Sequence, residues 1–442
     1  MNTKLNVRLA AVLVAAASIP AGAQPPGQAG PPGMPVVETL TLERAIEIAV
    51  QQQPALRQTR AQIEAANGRV DLARVARAPT ANLGASLNTG STRPGADLFT
   101  GGFFTPHAGL ALTASASWRI YDFGQTSSNI RAAELNARAT TATLDTASLD
   151  VRTGVELAYL EAVARGRLVK VAETTMKSED LHLDQARRFV AAQAKDPIEL
   201  AQAQSRAANA RSAYAQAQAL EAISLANLRA AIGWLDPTRS PSVTGEWPTP
   251  PTAEPPLLTA LVETARHRPE LRQLDLQIQA SQASLDAALR ERRPVLSASA
   301  ATQWQPDTSD PTPQPSWQAS LTLSWALFDG GRAKADQRIA RANVAGALAN
   351  RDALLVQLTT QLDASRSQII ANKANVAAST EAVTAARAQL RLAEARYAQG
   401  LGSQIELADA QVAVTTAEGN LVSAEFQLAT AWATLHRATA AG

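Results

Sequence analysis

The sequence has no cysteine, only 4% aromatic residues and no dominant sign of charge, with 41 basic against 39 acidic side chains. Without cysteine there is no disulfide framework, thiol catalysis, Cys-ligated zinc or S-linked lipid anchor. The balanced charge and the lack of a Lys/Arg run remove the electrostatic case for a nucleic-acid partner. Few aromatics and abundant alanine do not build a thick globular core; they suit helices packed closely side by side. Long apolar runs are missing beyond the N-terminus, so a membrane would have to be entered as strands. There is no P-loop, no Gly-x-Ser-x-Gly elbow, no His-Glu-x-x-His and no calcium loop. The four histidines, His107, His182, His267 and His436, have no ligand-like spacing. Neither an enzyme, a catalytic residue, a metal nor a cofactor is expected. At ~100–200 residues per domain, the length suggests two or three units.

Residues 1–23 read as a secretory signal. Lys4 and Arg8 form the basic end, Leu9 to Ile19 the apolar stretch, and Ala21-Gly22-Ala23 the small-residue cleavage site. The apolar stretch has about half of the ~20 residues that a spanning helix needs. A Pro/Gly-rich segment follows at 24–38.

Beyond it the chain is written twice. Pro54-Ala-Leu-Arg57 recurs as Pro269-Glu-Leu-Arg272, and Pro79 as Pro294, both 215 positions later. Trp118-Arg-Ile-Tyr-Asp122-Phe-Gly124 recurs as Trp325-Ala-Leu-Phe-Asp329-Gly-Gly331, and Ile198-Glu-Leu-Ala-Gln-Ala-Gln204 as Ile405-Glu-Leu-Ala-Asp-Ala-Gln411, both 207 positions later. The repeats are assigned to 39–234 and 257–442, joined by a Pro/Thr-rich linker at 235–256. The change of offset falls between Pro79 and Trp118, where a surface loop tolerates insertion.

Leu348, Leu355, Leu362, Ile369, Val376, Val383, Leu390 and Tyr397 recur every seventh residue, as do Val155, Ala162, Val169, Met176, Leu183 and Val190. A sustained seven-residue period imposes left-handed supercoiling. The stretches 126–190 and 332–398 contain no proline; each has room for a helix of ~65 residues, or ~100 Å. Shorter helices are expected at about 40–77, 198–233, 257–292 and 404–438, and two laid end to end match one long helix. A tube or rod follows; periodicity alone also fits coiled coils with no duct.

Between the helices the period becomes two. Apolar side chains alternate with polar ones through 80–88, 109–120, 295–304 and 317–327, the last from Trp317 through Ala319, Leu321, Leu323 and Trp325 to Leu327. Each run is long enough for one tilted pass through a bilayer, ~9–11 residues. Leu110, Leu112, Trp118, Trp317, Leu321, Leu323 and Trp325 are the candidates to face lipid. Four strands cannot close a barrel, and lipid does not tolerate open edges, so several chains must share one.

The duplication, the strand pair in each copy, the aromatic-Asp-Gly turn and the motif Arg396-Tyr-Ala-Gln-Gly400-Leu-Gly-Ser-Gln-Ile-Glu406-Leu-Ala-Asp409-Ala-Gln411 together resemble the TolC-type outer-membrane efflux protein family. The resemblance covers essentially the whole chain from about Thr39. It implies a mainly α fold with a small β part: long antiparallel coiled-coil helices forming an α-barrel tunnel in the periplasm, and a homotrimer with one twelve-stranded outer-membrane β-barrel. It also implies a periplasmic adaptor and an inner-membrane pump as partners, and a passive exit duct for efflux or type I secretion in a Gram-negative cell. The reading from another class is a periplasmic coiled-coil structural or adaptor protein without a pore, for which the alternating strands have no use.

Gly400 and Gly402 fall at one helix reversal, Asp196 and Pro197 at the other, where Asp196 can cap the next helix with Pro197 at its first position. Glu406 and Asp409, three residues apart on one helical face, would form carboxylate rings that favour cations if copies surround a narrow end. The other reading is that they complement the helix dipole. By resemblance, the two acids match rings near the periplasmic entrance, and Tyr397 and Glu199 match groups that hold it shut. Gly402 stands where close relatives of the family have a gate arginine. The segment Phe189 to Pro197 lacks the family's glycine-centred adaptor motif.

Overall fold

Proline and positive-φ glycine punctuate the helices and so set the element order. The computed structural model describes residues 36–92, 105–244, 246–247, 254–304 and 315–439. The expected signal at 1–23, and most of the segment 24–38, lie outside the described residues. In chain order come β1 (Val36–Leu40), α1 (Leu42–Gln52), α2 (Pro54–Val75), β2 (Thr80–Thr92), β3 (Thr105–Tyr121), α3 (Gln125–Ala191) and α4 (Pro197–Ile232). They are followed by β4 (Arg239–Val243), α5 (Leu258–Ala265), α6 (Pro269–Arg290), β5 (Val295–Trp304), β6 (Ser316–Ser324), α7 (Arg332–Ala398) and α8 (Gln404–Thr439).

Two of the expected helices are each divided. The helix expected at 40–77 breaks at Gln53, which is extended (φ −61°, ψ 123°) because Pro54 disfavours helical geometry in the residue before it. Arg268 (φ −63°, ψ 141°) breaks the helix expected at 257–292 before Pro269 in the same way. The first break is docked: Gln53 Nε2 donates to the carbonyl of Ala231 at 2.8 Å. Gly233, at φ 85°, comes so close that a Cβ there would lie 3.0 Å from Gln53 Cα. The sequence reading also missed a small parallel sheet. β1 pairs with β4 over the whole of both strands, so the 235–256 linker is partly structured.

The helices α3 and α7 have 67 residues each, a length of ~100 Å. Along α3, α2 packs on the N-terminal part through Ala66, Val70 and Ala137. α4 packs on the C-terminal part through Leu183, Ala186, Ala203 and Ala207. Alanine at these contacts lets the axes approach closely, as the composition suggested. Where the short helices meet, the core thickens. Leu40, Ile48, Val155, Tyr159, Val163, Leu228 and Ile232 form one cluster, with Tyr159 Oη donating to the Leu40 carbonyl at 3.3 Å. Leu261, Leu362, Ile369, Leu428, Trp432 and Leu435 form its counterpart around α7. Of the seven-residue stripe on α7, Leu362, Ile369, Val383 and Tyr397 are buried, whereas Leu348 is 45% exposed.

The other strands form one antiparallel sheet in the order β2-β3-β5-β6. Directly opposed residues share a face, so the register sorts the side chains. Leu83 opposes Ala114, Ala85 opposes Leu112, Trp118 opposes Ala298, and Ala298 opposes Leu321, which makes one continuous apolar face. The other face carries Asn82, Ser86, Thr113, Ser115, Ser297, Ser299, Ser320 and Thr322. Three strand limits differ from the alternation by more than one residue. β2 continues to Thr92 and β3 begins at Thr105, while β6 ends at Ser324 because β5, starting at Val295, offers no partner beyond it.

Candidate functional site

The chain reverses direction at two kinds of place, and the candidate residues gather at both. Between strand and long helix, the same turn is built twice. Asp122 accepts the backbone N–H groups of Gly124 at 3.1 Å and Thr126 at 2.8 Å. Asp329 accepts those of Gly331 at 2.9 Å and Ala333 at 3.0 Å. Gly124 and Gly331 take φ 90° and 94°, a conformation that glycine adopts without steric cost. Burial pushes the Asp122 carboxyl up, but the bonds from Thr126 and Gly124, with Arg119 nearby, hold it below the ordinary range. Asp329 is held low by the N–H groups of Ala333 and Gly331. Beside each turn a tryptophan is anchored by its indole N–H: Trp118 to the Arg77 carbonyl at 2.8 Å and Trp325 to the Arg292 carbonyl at 3.1 Å.

Of the candidates for lipid contact, Leu112, Trp118, Trp317, Leu321, Leu323 and Trp325 are all exposed in the single chain. Leu110 lies in β3 opposite Leu87, and its side chain is outside the described residues. Trp325 has passed the end of β6. Among the described residues β2 pairs only with β3, and β6 only with β5, so both edges of the sheet are open there.

At the far end, α3 turns into α4 and α7 into α8. Asp196 accepts the N–H of Ile198 at 3.1 Å, with Pro197 at the first helical position, as the sequence indicated. The left-handed residue of this turn is Gln193 (φ 55°), which has no sequence signal. In the second turn Gly400 (φ 76°) lets Leu401 and Gly402 return their N–H groups to the Arg396 carbonyl at 2.9 and 3.0 Å. Gly402 packs onto that reversal; a Cβ there would lie 3.1 Å from Tyr397 N and 3.2 Å from Arg396 C. A larger residue at 402 therefore requires that backbone to give by a few tenths of an ångström.

The structure brings Tyr397 and Glu199 together. Tyr397, 3% exposed, directs its hydroxyl to Glu199 at 3.5 Å, while Lys195 lies 3.5 Å from Glu199 and 5.5 Å above the tyrosine ring. Phe189 meets the same ring edge-on at 6.0 Å. Burial, then Glu199, raises the Tyr397 hydroxyl above its usual range, so it remains a proton donor. This latch ties the α7 tip to the α4 tip. Lys195 and Phe189 were not legible as partners, because the contact joins segments far apart in the chain.

Glu406 and Asp409 have different surroundings. Ser403 Oγ accepts the Glu406 N–H at 3.1 Å, and the Glu406 carboxylate pairs with Arg396 at 3.5 Å. The Ser403-x-x-Glu406 spacing is a capping signature visible in the sequence. Asp409 is exposed and has no ion pair among the described residues. A cleft of about 560 Å³ beside the latch is lined by Ser178, His182, Arg188, Phe189, Glu394 and Tyr397, among others. Among the described residues no helix is long and apolar enough to cross a membrane, and no cluster of His, Cys, Asp or Glu could hold a metal ion.

The family model described as outer membrane efflux protein matches residues 45–234 and 260–441. Protein CyaE of Bordetella pertussis is 28% identical over 301 residues, 66% of this chain, and the match spans 61% of that relative's length. The CusC channel structure superposes with a TM-score of 0.77 at 16% identity, covering 90% of this chain and 91% of that one. The CmeC outer membrane channel of Campylobacter jejuni gives 0.76 at 15% identity, with 90% and 85% covered. At these identities the two structures establish a shared fold.

Proposed function

We propose, for a chain that belongs to the outer membrane efflux protein family, that it is the passive exit duct of a tripartite efflux or type I secretion system. It is an outer-membrane channel protein with a periplasmic portion. The observation that carries the finer reading is the four-stranded sheet with one apolar face, one hydroxyl- and amide-lined face and two open edges. In lipid those edges must be paired. Three chains supply twelve strands to one barrel, apolar side outward and polar side around water. The duplicated halves then give each chain two similar strand pairs and two similar helical hairpins around the axis.

Helices α3, α4, α7 and α8 continue the duct as a periplasmic tunnel that ends at the two helical turns. There the Tyr397–Glu199–Lys195 latch holds the hairpins together in the closed state, and Asp409 of each chain faces the entrance. An adaptor and an inner-membrane pump dock at this end and supply the energy; the duct contributes a water-filled path. Glu406, engaged by Arg396, serves the helix start and contributes less to the entrance field.

Reconstitution in planar bilayers tests the reading. The protein is expected to conduct small ions as a cation-preferring pore, with larger conductance for Glu199→Gln, which removes the charge that ties Lys195 to the latch. A protein that binds membranes but gives no conductance in either form contradicts the duct.

A further inference from the structure

The turn between α6 and β5 reads Arg290-Glu291-Arg292-Arg293-Pro294, three guanidiniums in four residues. The corresponding turn before β2 keeps one of them: Arg77 stands two residues before Pro79, as Arg292 does before Pro294. Both turns lie where the sheet meets the helices. In both, the arginine carbonyl accepts the indole N–H of the facing tryptophan, Trp118 or Trp325.

The arginines of the second turn are unequally engaged. Arg290 donates to Ser128 Oγ and, at 3.2 Å, to the Asp286 carbonyl, which fixes it against α3 and α6. Arg292 reaches the Leu327 carbonyl at 3.4 Å. Arg293 is exposed and has no side-chain hydrogen bond or ion pair among the described residues. The carboxylates nearby are already occupied. Asp329, whose charge Arg292 helps to stabilise, accepts the N–H groups of Gly331 and Ala333, and Glu291 lies 3.7 Å from Arg332. Arg292 and Arg293 therefore keep N–H donors for a further anion. Beside them is apolar surface: Trp325 is 61% and Phe328 90% exposed in the single chain. Aromatic rings at the end of an apolar band mark a membrane–water boundary, and a guanidinium fits a phosphate with two parallel hydrogen bonds.

We propose that this turn is a headgroup site for an anionic glycerophospholipid of the periplasmic leaflet. Arg292 and Arg293 hold the phosphate, and Trp325 and Phe328 border the glycerol and the start of the acyl chains. This rests on the outer-membrane duct proposed above, whose helices continue into the periplasm, and adds that its contact with lipid is selective. Headgroup charge makes the selection: phosphatidylethanolamine balances its phosphate with its own ammonium, whereas the phosphate of phosphatidylglycerol is left for the arginines. The first turn is a weaker copy. There the single Arg77 is partly engaged by Ser127, at a cleft of about 520 Å³ lined also by Trp118, Tyr121 and Phe123.

The test mixes full-length particles in mild detergent with phosphatidylglycerol or phosphatidylethanolamine of the same acyl chains and counts retained lipid by native mass spectrometry. The parent is expected to retain phosphatidylglycerol at least about fivefold better, since each arginine near an anionic surface contributes roughly that factor. Arg292→Gln with Arg293→Gln should abolish the preference and leave phosphatidylethanolamine retention unchanged. Arg272→Gln with Arg391→Gln, which removes the same charge from exposed helical positions elsewhere, should keep it. Arg293→Gln alone breaks none of the contacts described and should lose about fivefold, which decides the question if the double variant does not insert. Equal retention of the two lipids by the parent, or an unchanged preference in the Arg292/Arg293 variants, overturns the site. Displacement of the lipid by excess inorganic phosphate overturns the lipid assignment in favour of a free anion. A conducting, membrane-inserted particle in any of these cases leaves the duct standing; a parent protein that never inserts overturns the duct and the site together.

Discussion

Leu321 offers the sharpest test of which way the sheet faces. It lies near the middle of β6, opposite Ala298, with two-thirds of its surface exposed in the single chain. Its neighbour Thr322, opposite Ser297, projects from the other face. If the apolar face meets lipid, Leu321→Arg places a guanidinium near the bilayer midplane at a cost of about 2–4 kcal/mol per chain. With about 1.4 kcal/mol per factor of ten, that is roughly 30- to 1,000-fold in the insertion equilibrium of one chain. Three chains in one barrel raise the cost to about 6–12 kcal/mol, comparable with the whole stability of many domains. Thr322→Arg adds the same charge one residue away but leaves it in water, and should cost less than about 1 kcal/mol. The assay is the fraction of chains found as protease-resistant, membrane-inserted particles after expression, with urea titration in vesicles for variants that insert. Leu321→Arg should fall to a few per cent of the parent while Thr322→Arg stays near it. Equal loss at the two positions, or normal insertion of Leu321→Arg, would refute the assignment of the faces.

Three further predictions concern the tip and the mid-level core. Asp409→Asn should lower the cation preference of the reconstituted pore severalfold in reversal-potential measurements, and Glu406→Gln should change it less because Arg396 already engages that carboxylate. Gly402→Ala forces a Cβ against the Arg396–Tyr397 backbone, so about 1–3 kcal/mol of local stability should be lost, seen as faster amide exchange at the turn without loss of insertion. Burial pushes the Glu270 carboxyl up, but bonds from Arg268 and Arg437 hold it down to about 2. Its folded pKa lies below the unfolded value, so its contribution is complete above about pH 4.5 and is lost as the pH falls towards 2; after solvent screening it is worth about 1–2 kcal/mol, and Glu270→Gln should flatten the acid limb of Tm against pH.

The sequence carried most of what local rules decide. The proline-free stretches gave α3 and α7, and the period-two alternation gave the four strands and set Leu321 and Leu323 on one face of the sheet. Pro197 and Gly400 gave the helical turns. What local rules leave open was misread or missed. Pro54 and Pro269 were present, yet the helices around them were expected to run on; a proline at the first turn is compatible with a helix, and only the extended residue before it shows the break. β1 and β4 are short strands whose pairing ties the start of the first half to the linker that follows it, and neither shows strong alternation. Resemblance pointed to Tyr397 and Glu199 as gate groups, but their contact with each other, and the Lys195 and Phe189 that complete it, depend on how two hairpins pack. Asp409 and Glu406 share one helical face by spacing; Arg396, folded back by the Gly400 turn, pairs with Glu406 alone and so gives the two acids different surroundings.

The central claim is that several chains close one barrel in the outer membrane. Native mass spectrometry of the particle extracted by mild detergent from the outer-membrane fraction tests it most directly. The account predicts a mass of three chains, with little protein in the soluble periplasmic fraction. A single chain recovered mainly from the soluble periplasm would contradict it.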